Sequence, residues 1–132
     1  MKCIVVTPEK TEIDQDASFV VAPLYDGEYG IGQGHTPVVA RIGAGELRIT
    51  APDGAKSVFF IEGGFLESSG DVVSILTNRV LTPDEVTLEK AEADLASAQA
   101  LEQTTAELFA QKEKAVRTAR GMAAAARKWG KK

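Results

Sequence analysis

The chain has 132 residues, 44% of them hydrophobic, which allows one ordinary domain, or a small domain with an appendage, and enough apolar mass for a core. One cysteine, Cys3, and one histidine, His35, exclude an internal disulfide and a four-ligand zinc site. The net charge of −4 hides an asymmetry: residues 1–86 hold six bases against thirteen acids, whereas residues 87–132 hold nine bases against six acids, so two modules with different partners are expected.

Only four apolar residues follow Met1-Lys2 before Thr7-Pro8. That falls short of the ~7–15-residue core of a signal peptide, and no run approaches the ~18–20 residues that span a bilayer. A soluble, cytoplasmic protein is expected, brought to a membrane only by a partner. Cys3 stands among Ile4, Val5 and Val6, which reads as a buried strand thiol rather than a reactive one.

The first half reads as β. Cys3–Val6, Phe19–Ala22 and Val38–Ile42 are short β-rich runs punctuated by Pro8, Pro23 and Pro37. Between the second and third lies Gly27–Pro37, with four glycines in eight residues and the lone His35; it reads as a shaped loop. Two explanations compete for this loop, a phosphate cradle and a partner-contact loop. Glu46–Thr50 alternates polar and apolar with period two, as a half-buried strand does. Pro52-Asp53-Gly54 forms a turn, because proline presets φ and glycine accepts positive φ. Ser57–Ile61 is an apolar run suited to a strand covered on both faces. Gly63-Gly64 interrupts it at a bulge or close backbone approach before Phe65–Glu67 resumes, and Ser68–Asp71 turns the chain into Val72–Leu76. Short strands at this spacing indicate an antiparallel sandwich or barrel.

Near Thr82 the texture changes. Beyond Glu85 there is no proline, no glycine until Gly121, and alanine dominates. Leu88, Ala91, Leu95 and Ala98 line one helical face. Thr82-Pro83-Asp84-Glu85 has the form of a capping box, yet Thr87 one turn later is the preferred cap of the main helix, with Thr82–Glu85 a short turn ahead of it. Thr104-Thr105-Ala106-Glu107 repeats the start signal and divides the tail into two helices. The second carries Leu108, Lys112, Ala115, Ala119, Met122 and Ala126 along one face. A stripe made mainly of alanine buries little area, so this pair of helices should be loosely held and able to detach.

Catalytic chemistry finds little support. Gly30-x-Gly32-x-Gly34 is neither the dinucleotide G-x-G-x-x-G spacing nor a P-loop, and no helix pattern follows to hold a phosphate. His35 has no recognisable serine or cysteine partner. Asp14, Asp16, Asp26 and Glu28 could pair across a cleft or simply be solvated. Lys114–Lys132 contains seven bases and no acid, but its single aromatic, Trp129, and the acidic first half argue against nucleic acid. An acidic protein surface matches it better, with a solvated basic face as the plain alternative.

Val6-Thr7-Pro8-Glu9, Gly27-Glu28-x-Gly30-Ile31-x-x-Gly34-His35-x-Pro37, Gly45-x-Leu47-Arg48-Ile49, Gly63–Glu67 and Val72-x-x-Ile75-Leu76 together resemble the epsilon subunits of F-type ATP synthases. The resemblance runs in order along essentially the whole chain. It implies an N-terminal antiparallel β-sandwich over residues 1–81 and a C-terminal antiparallel two-helix hairpin over 82–132. It further implies a non-catalytic part of the rotating central stalk that binds the gamma subunit and the c-subunit ring and couples their rotation during proton-driven ATP synthesis. Such a subunit sits peripherally at the cytoplasmic face of the cell inner membrane, without inserting into it.

By matching positions, Glu28, Tyr29, Ile31, His35 and Pro37 become the contact residues for the c ring and gamma. Arg117, Arg120, Arg127 and Lys128 become the face that meets the alpha/beta catalytic ring when the hairpin extends and restrains hydrolysis. Two departures stand out. Gln33 occupies the place of a common proline before the Gly-His pair. At the start of the first helix, where some members carry an ATP-binding Ile/Leu-Asp-x-x-Arg-Ala, this chain has Val86-Thr87-Leu88-Glu89-Lys90-Ala91. Thr87 brings no carboxylate and Lys90 no planar fork, so ATP binding there is expected to be weak or absent, and no cofactor is expected. A stand-alone nucleotide-sensing module and a small hydrolase are the competing functions.

Overall fold

The computed structural model describes residues 1–101 and 105–130. The chain divides into two compact units, Met1–Leu81 and Thr82–Lys132.

The first unit contains ten strands: β1 (Lys2–Val6), β2 (Thr11–Asp16), β3 (Phe19–Leu24), β4 (Gly27–Gly32), β5 (Val38–Arg41), β6 (Ala44–Thr50), β7 (Lys56–Glu62), β8 (Phe65–Ser69), β9 (Val72–Leu76) and β10 (Arg79–Leu81). They form two five-stranded sheets, ordered β2-β1-β9-β8-β5 and β10-β7-β6-β3-β4. The result is a sandwich, and all pairings are antiparallel except β1 with β9. Alternation along the strands sends Cys3, Val5, Leu66, Val73 and Ile75 of one sheet and Val20, Ile31, Leu47, Ile49 and Ile61 of the other into a common core, all fully buried. Burial pushes the Cys3 thiol up to about 12, so it is an inert core atom.

Three strands lack the signals by which the others are recognised. β2 has one half-buried apolar residue, Ile13, in Thr11–Asp16, β10 has only three residues, and β4 is half glycine. The loop expected over Gly27–Pro37 is thus a strand through Gly32, paired antiparallel with β3 from Phe19↔Gly32 to Leu24↔Gly27. Only Gly27 and Gly34 in this stretch adopt positive φ. Gly30 and Gly32 serve another purpose: a Cβ on Gly30 would stand 2.6 Å from Cζ of Phe19, and one on Gly32 would stand 3.4 Å from the same ring. The glycines make room for an aromatic cover rather than a bend.

The double glycine after β7 behaves as its sequence suggests. A Cβ on Gly64 would fall 1.7 Å from the Leu76 carbonyl oxygen, and its φ is +101°. The backbones lock there, with Ile42 N–H donating to Gly64 O at 2.9 Å and Gly63 N–H to Gly43 O at 2.9 Å. β3 continues through Pro23, which the sequence marks as a breaker. β6 pairs only with Phe19–Val21, so at Pro23 the strand has β4 alone as ladder partner and the missing N–H is tolerated. The β6–β7 turn closes with Gly54 at φ +92° and Asp53 Oδ1 accepting from Ala55 N–H at 2.9 Å.

In the second unit a single 3₁₀ turn, Pro83–Glu85, precedes α1 (Leu88–Gln99), and α2 spans Ala106–Lys128. Glu85 accepts from both the backbone N–H and the hydroxyl of Thr82, each at 3.0 Å. Thr87 caps α1 by accepting from Lys90 N–H at 3.2 Å, as expected, and Thr105 caps α2 by accepting from Leu108 N–H at 3.1 Å. Thr104, the other half of that start signal, lies outside the described residues. The helices pack on each other. Glu92, near the start of α1, approaches Arg127, at the end of α2, to 4.0 Å, which requires them to run antiparallel. Ala91 and Ala98 are buried on α1, and Ala119, Met122, Ala123, Ala125 and Ala126 on α2. At ~1.5 Å per residue, α2 is about 34 Å long and α1 about 18 Å, so the first half of α2 outreaches its partner.

Candidate functional site

The expected contact residues spread along one side of the sandwich instead of forming a cluster. β4 is the outer strand of its sheet and β5 the outer strand of the other, and the β3–β4 hairpin docks onto β5. Tyr25 N–H donates to Arg41 O at 2.9 Å, Gly43 N–H donates to Pro23 O at 2.8 Å, and Leu24 bridges Ile42. The Arg41 guanidinium lies 4.3 Å above the Tyr25 ring. Two sheet edges are thereby joined into one continuous edge.

Along that edge Glu28 is exposed and Tyr29 is 39% exposed. Ile31 corrects the expected set: it is fully buried opposite Val20 and offers no surface to a partner. The reason is register: Ile31 pairs with the buried Val20 beside the core, while Tyr29, in the same phase, lies nearer the hairpin turn and stays exposed. His35 is half-buried and turns back on its own loop. Its backbone N–H and its Nδ1–H both donate to Gly32 O, at 3.3 and 2.8 Å, while Nε2 is buried with no hydrogen-bond partner among the described residues. Pro37 is exposed. Glu28 and Gly32, the anchor of His35, are about 13 Å apart along the strand, so the two side chains start from separate points of the edge.

Glu28 is held from behind. Arg48 Nη1 on β6 donates to Glu28 Oε2 at 2.8 Å and to Glu46 Oε1 at 2.7 Å. The Glu46 side chain is only 7% exposed, and the hydrogen bond to it, together with both carboxylates, holds the Arg48 pKa above its ordinary value against partial desolvation. The arrangement fixes the carboxylate of Glu28 at the edge without catalytic geometry. The other acids considered together, Asp14 and Asp16, lie on β2 at the opposite border of the first sheet, where Asp14 pairs with Lys2 at 3.3 Å. Among the described residues, no group of His, Cys, Asp and Glu could hold a metal ion.

One surface went unread in the sequence. On the outer face of the first sheet, Phe65 stands beside Leu76 in register, and Val39 is diagonal to Phe65 through the Val39↔Glu67 and Arg41↔Phe65 pairs. These three are 60%, 57% and 73% exposed. Their signal was phase: Leu66 and Ile75 are the core positions, so Phe65 and Leu76 are large apolar residues in the solvent phase.

On α2, Arg117, Arg120, Arg127 and Lys128 are all exposed and fall within roughly a 100° arc. Lys131 and Lys132, the end of the basic run, lie outside the described residues. At the start of α1 the Thr87 hydroxyl is engaged as the cap and Lys90 is exposed. No helix among the described residues is long and apolar enough to cross a membrane.

With this geometry, similarity to known proteins becomes informative. Residues 1–83 match the family described as ATP synthase, Delta/Epsilon chain, beta-sandwich domain. The chain is 40% identical over 127 residues to the ATP synthase epsilon chain of Rhodopirellula baltica, covering 96% of this chain and 98% of that one. It is 36% identical over 97 residues to the sodium ion specific ATP synthase epsilon chain of Propionigenium modestum, covering 72% and 70%. In fold it is similar to a chain of the Euglena gracilis mitochondrial ATP synthase, with a TM-score of 0.79 at 24% identity over 93% of this chain and 79% of that one. A chain of the Tetrahymena thermophila mitochondrial ATP synthase central stalk and c ring gives a TM-score of 0.69 at 17% identity over 96% of both. The chain belongs to the family of ATP synthase epsilon chains, non-catalytic subunits of the F-type ATP synthase.

Proposed function

We propose that this subunit belongs to the central stalk, where its β-sandwich joins the gamma subunit to the c ring and carries rotation between them during proton-driven ATP synthesis. The observation that carries this reading is the exposed apolar group Val39, Phe65 and Leu76 on a sheet that is otherwise properly alternated. A folded subunit that keeps three large apolar side chains together in water has a face meant for a partner. Gamma is assigned to that face, and the c ring to the edge carrying Glu28, Tyr29, His35 and Pro37. The protein would then be held peripherally at the cytoplasmic face of the cell inner membrane through its partners.

The helical unit supplies a regulatory role. Its basic α2 arc suits an acidic surface on the alpha/beta catalytic ring, and a small-residue interface of the kind seen between α1 and α2 is cheap to open. ATP is not assigned as a ligand, because the Thr87 hydroxyl already serves the helix terminus. The direct test of gamma docking is Phe65→Ser combined with Val39→Ser. Loss of co-elution with gamma, with unchanged unfolding temperature, supports the assignment, whereas undiminished co-elution removes gamma from that face.

A further inference from the structure

Between the β3–β4 hairpin and β5 lies an open cleft of about 410 Å³, walled by Tyr25, Asp26, Glu28, Tyr29, Val39 and Arg41. Its groups divide sharply by what they already do. Tyr25 carries the Arg41 guanidinium over its ring, and Glu28 is bound by Arg48. Asp26 and Tyr29, by contrast, make no side-chain hydrogen bond, ion pair or ring contact with the described residues, although Tyr29 keeps 39% of its surface in water. An aromatic ring and a carboxylate facing one cavity, both unengaged, are the two halves of a site for a cation with a flat face. The occupied half shows the mode in miniature, with a guanidinium stacked on a tyrosine at the same wall.

We infer that this cleft receives an arginine side chain presented by a loop of a protein partner, stacked on Tyr29 and neutralised by Asp26. Arginine fits better than lysine because its planar, weakly hydrated head stacks on an aromatic face and forks to a carboxylate. A loop-borne side chain fits better than a free ligand because the cleft opens along an exposed sheet edge and, with Tyr25 engaged by Arg41 and Glu28 by Arg48, leaves little to fix a small molecule in one orientation. The inference rests on the reading of this side of the sandwich as a contact edge, and adds to it the chemistry that the partner must carry.

The test uses the full chain and two neutral-capped probes, N-acetyl-arginine methylamide and its citrulline counterpart, which has the same shape without the charge. Amide chemical shifts are followed by NMR during titration. Saturable shifts confined to Tyr25–Tyr29 and Val39–Arg41 are expected with the arginine probe. Asp26→Asn and Tyr29→Leu should each weaken its binding about threefold to tenfold, and Tyr29→Phe, which keeps the ring, should not. An equal response to citrulline, or no saturable response, overturns the inference while leaving the contact edge to be judged by assembly. If the probe binds but Asp26→Asn and Tyr29→Leu subunits assemble with gamma and the c ring as tightly as the parent, the partner does not use the cleft and the inference falls.

Discussion

The ring of Phe19 covers Gly30 across the β3–β4 pair, so closely that a Cβ on Gly30 would lie 2.6 Å from its Cζ. Gly30→Ala therefore has a mild remedy, since Phe19 is 42% exposed and its ring can swing aside. The expected cost is about 1 kcal/mol. Gly64→Ala has no such remedy, because the obstacle is the Leu76 backbone and φ is +101°. A loss of more than about 3 kcal/mol, or failure to fold, is expected. Denaturant unfolding of both variants checks the contrast.

Arg48 ties the edge strand to the middle of its sheet. Arg48→Gln strips the buried Glu46 carboxylate of its guanidinium and should cost about 2–3 kcal/mol. Glu28→Gln removes the exposed limb of the same fork and should cost less than about 1 kcal/mol. A double-mutant cycle measured by chemical unfolding separates the two. A Glu28 variant as destabilised as the Arg48 one would contradict this division.

Cys3 gives a pH signature. Its thiol ionises near 9 when unfolded and near 12 when folded, so the unfolded state sheds the proton first. The contribution of this group to stability is complete below pH 9 and declines as pH rises from 9 towards 12. Cys3→Ala should flatten that decline in alkaline unfolding curves. At pH 8, alkylation of the parent by iodoacetamide should proceed only as fast as the fold opens.

Ending the chain after Thr87 removes α1, α2 and the basic arc. ATPase activity of the assembled complex should rise if the hairpin restrains hydrolysis as proposed, and unchanged activity would leave the hairpin a passive appendage. Calorimetric titration of the full chain with ATP should detect weak binding or none; micromolar affinity would contradict the reading of Thr87 as a cap alone.

Most of the architecture could be read in advance where burial writes a period into the sequence. Leu88, Ala91, Leu95 and Ala98 mark α1, Glu46–Thr50 marks β6, and Gly63-Gly64 marks a close approach that Gly64 indeed makes with Leu76. β4 was hidden because its glycines are the complement of a side chain on another strand, and a tertiary fit leaves no local trace. Ile31 was placed among the contacts because motif position says nothing of register phase. The Val39–Phe65–Leu76 face needed three strands to be aligned before it existed. Glu28 could be named from its motif, but its clamp by Arg48 spans twenty residues of sequence and only the sheet brings them together.

The most direct measurement is co-purification of the tagged full chain from cells that express the rest of the ATP synthase. Retention of the gamma subunit and the c ring, weakened by replacing Glu28 and His35 together with alanine, is the predicted result. Elution of the chain alone, or ATP-driven proton pumping unaltered by that double substitution, would contradict a coupling role for the contact edge.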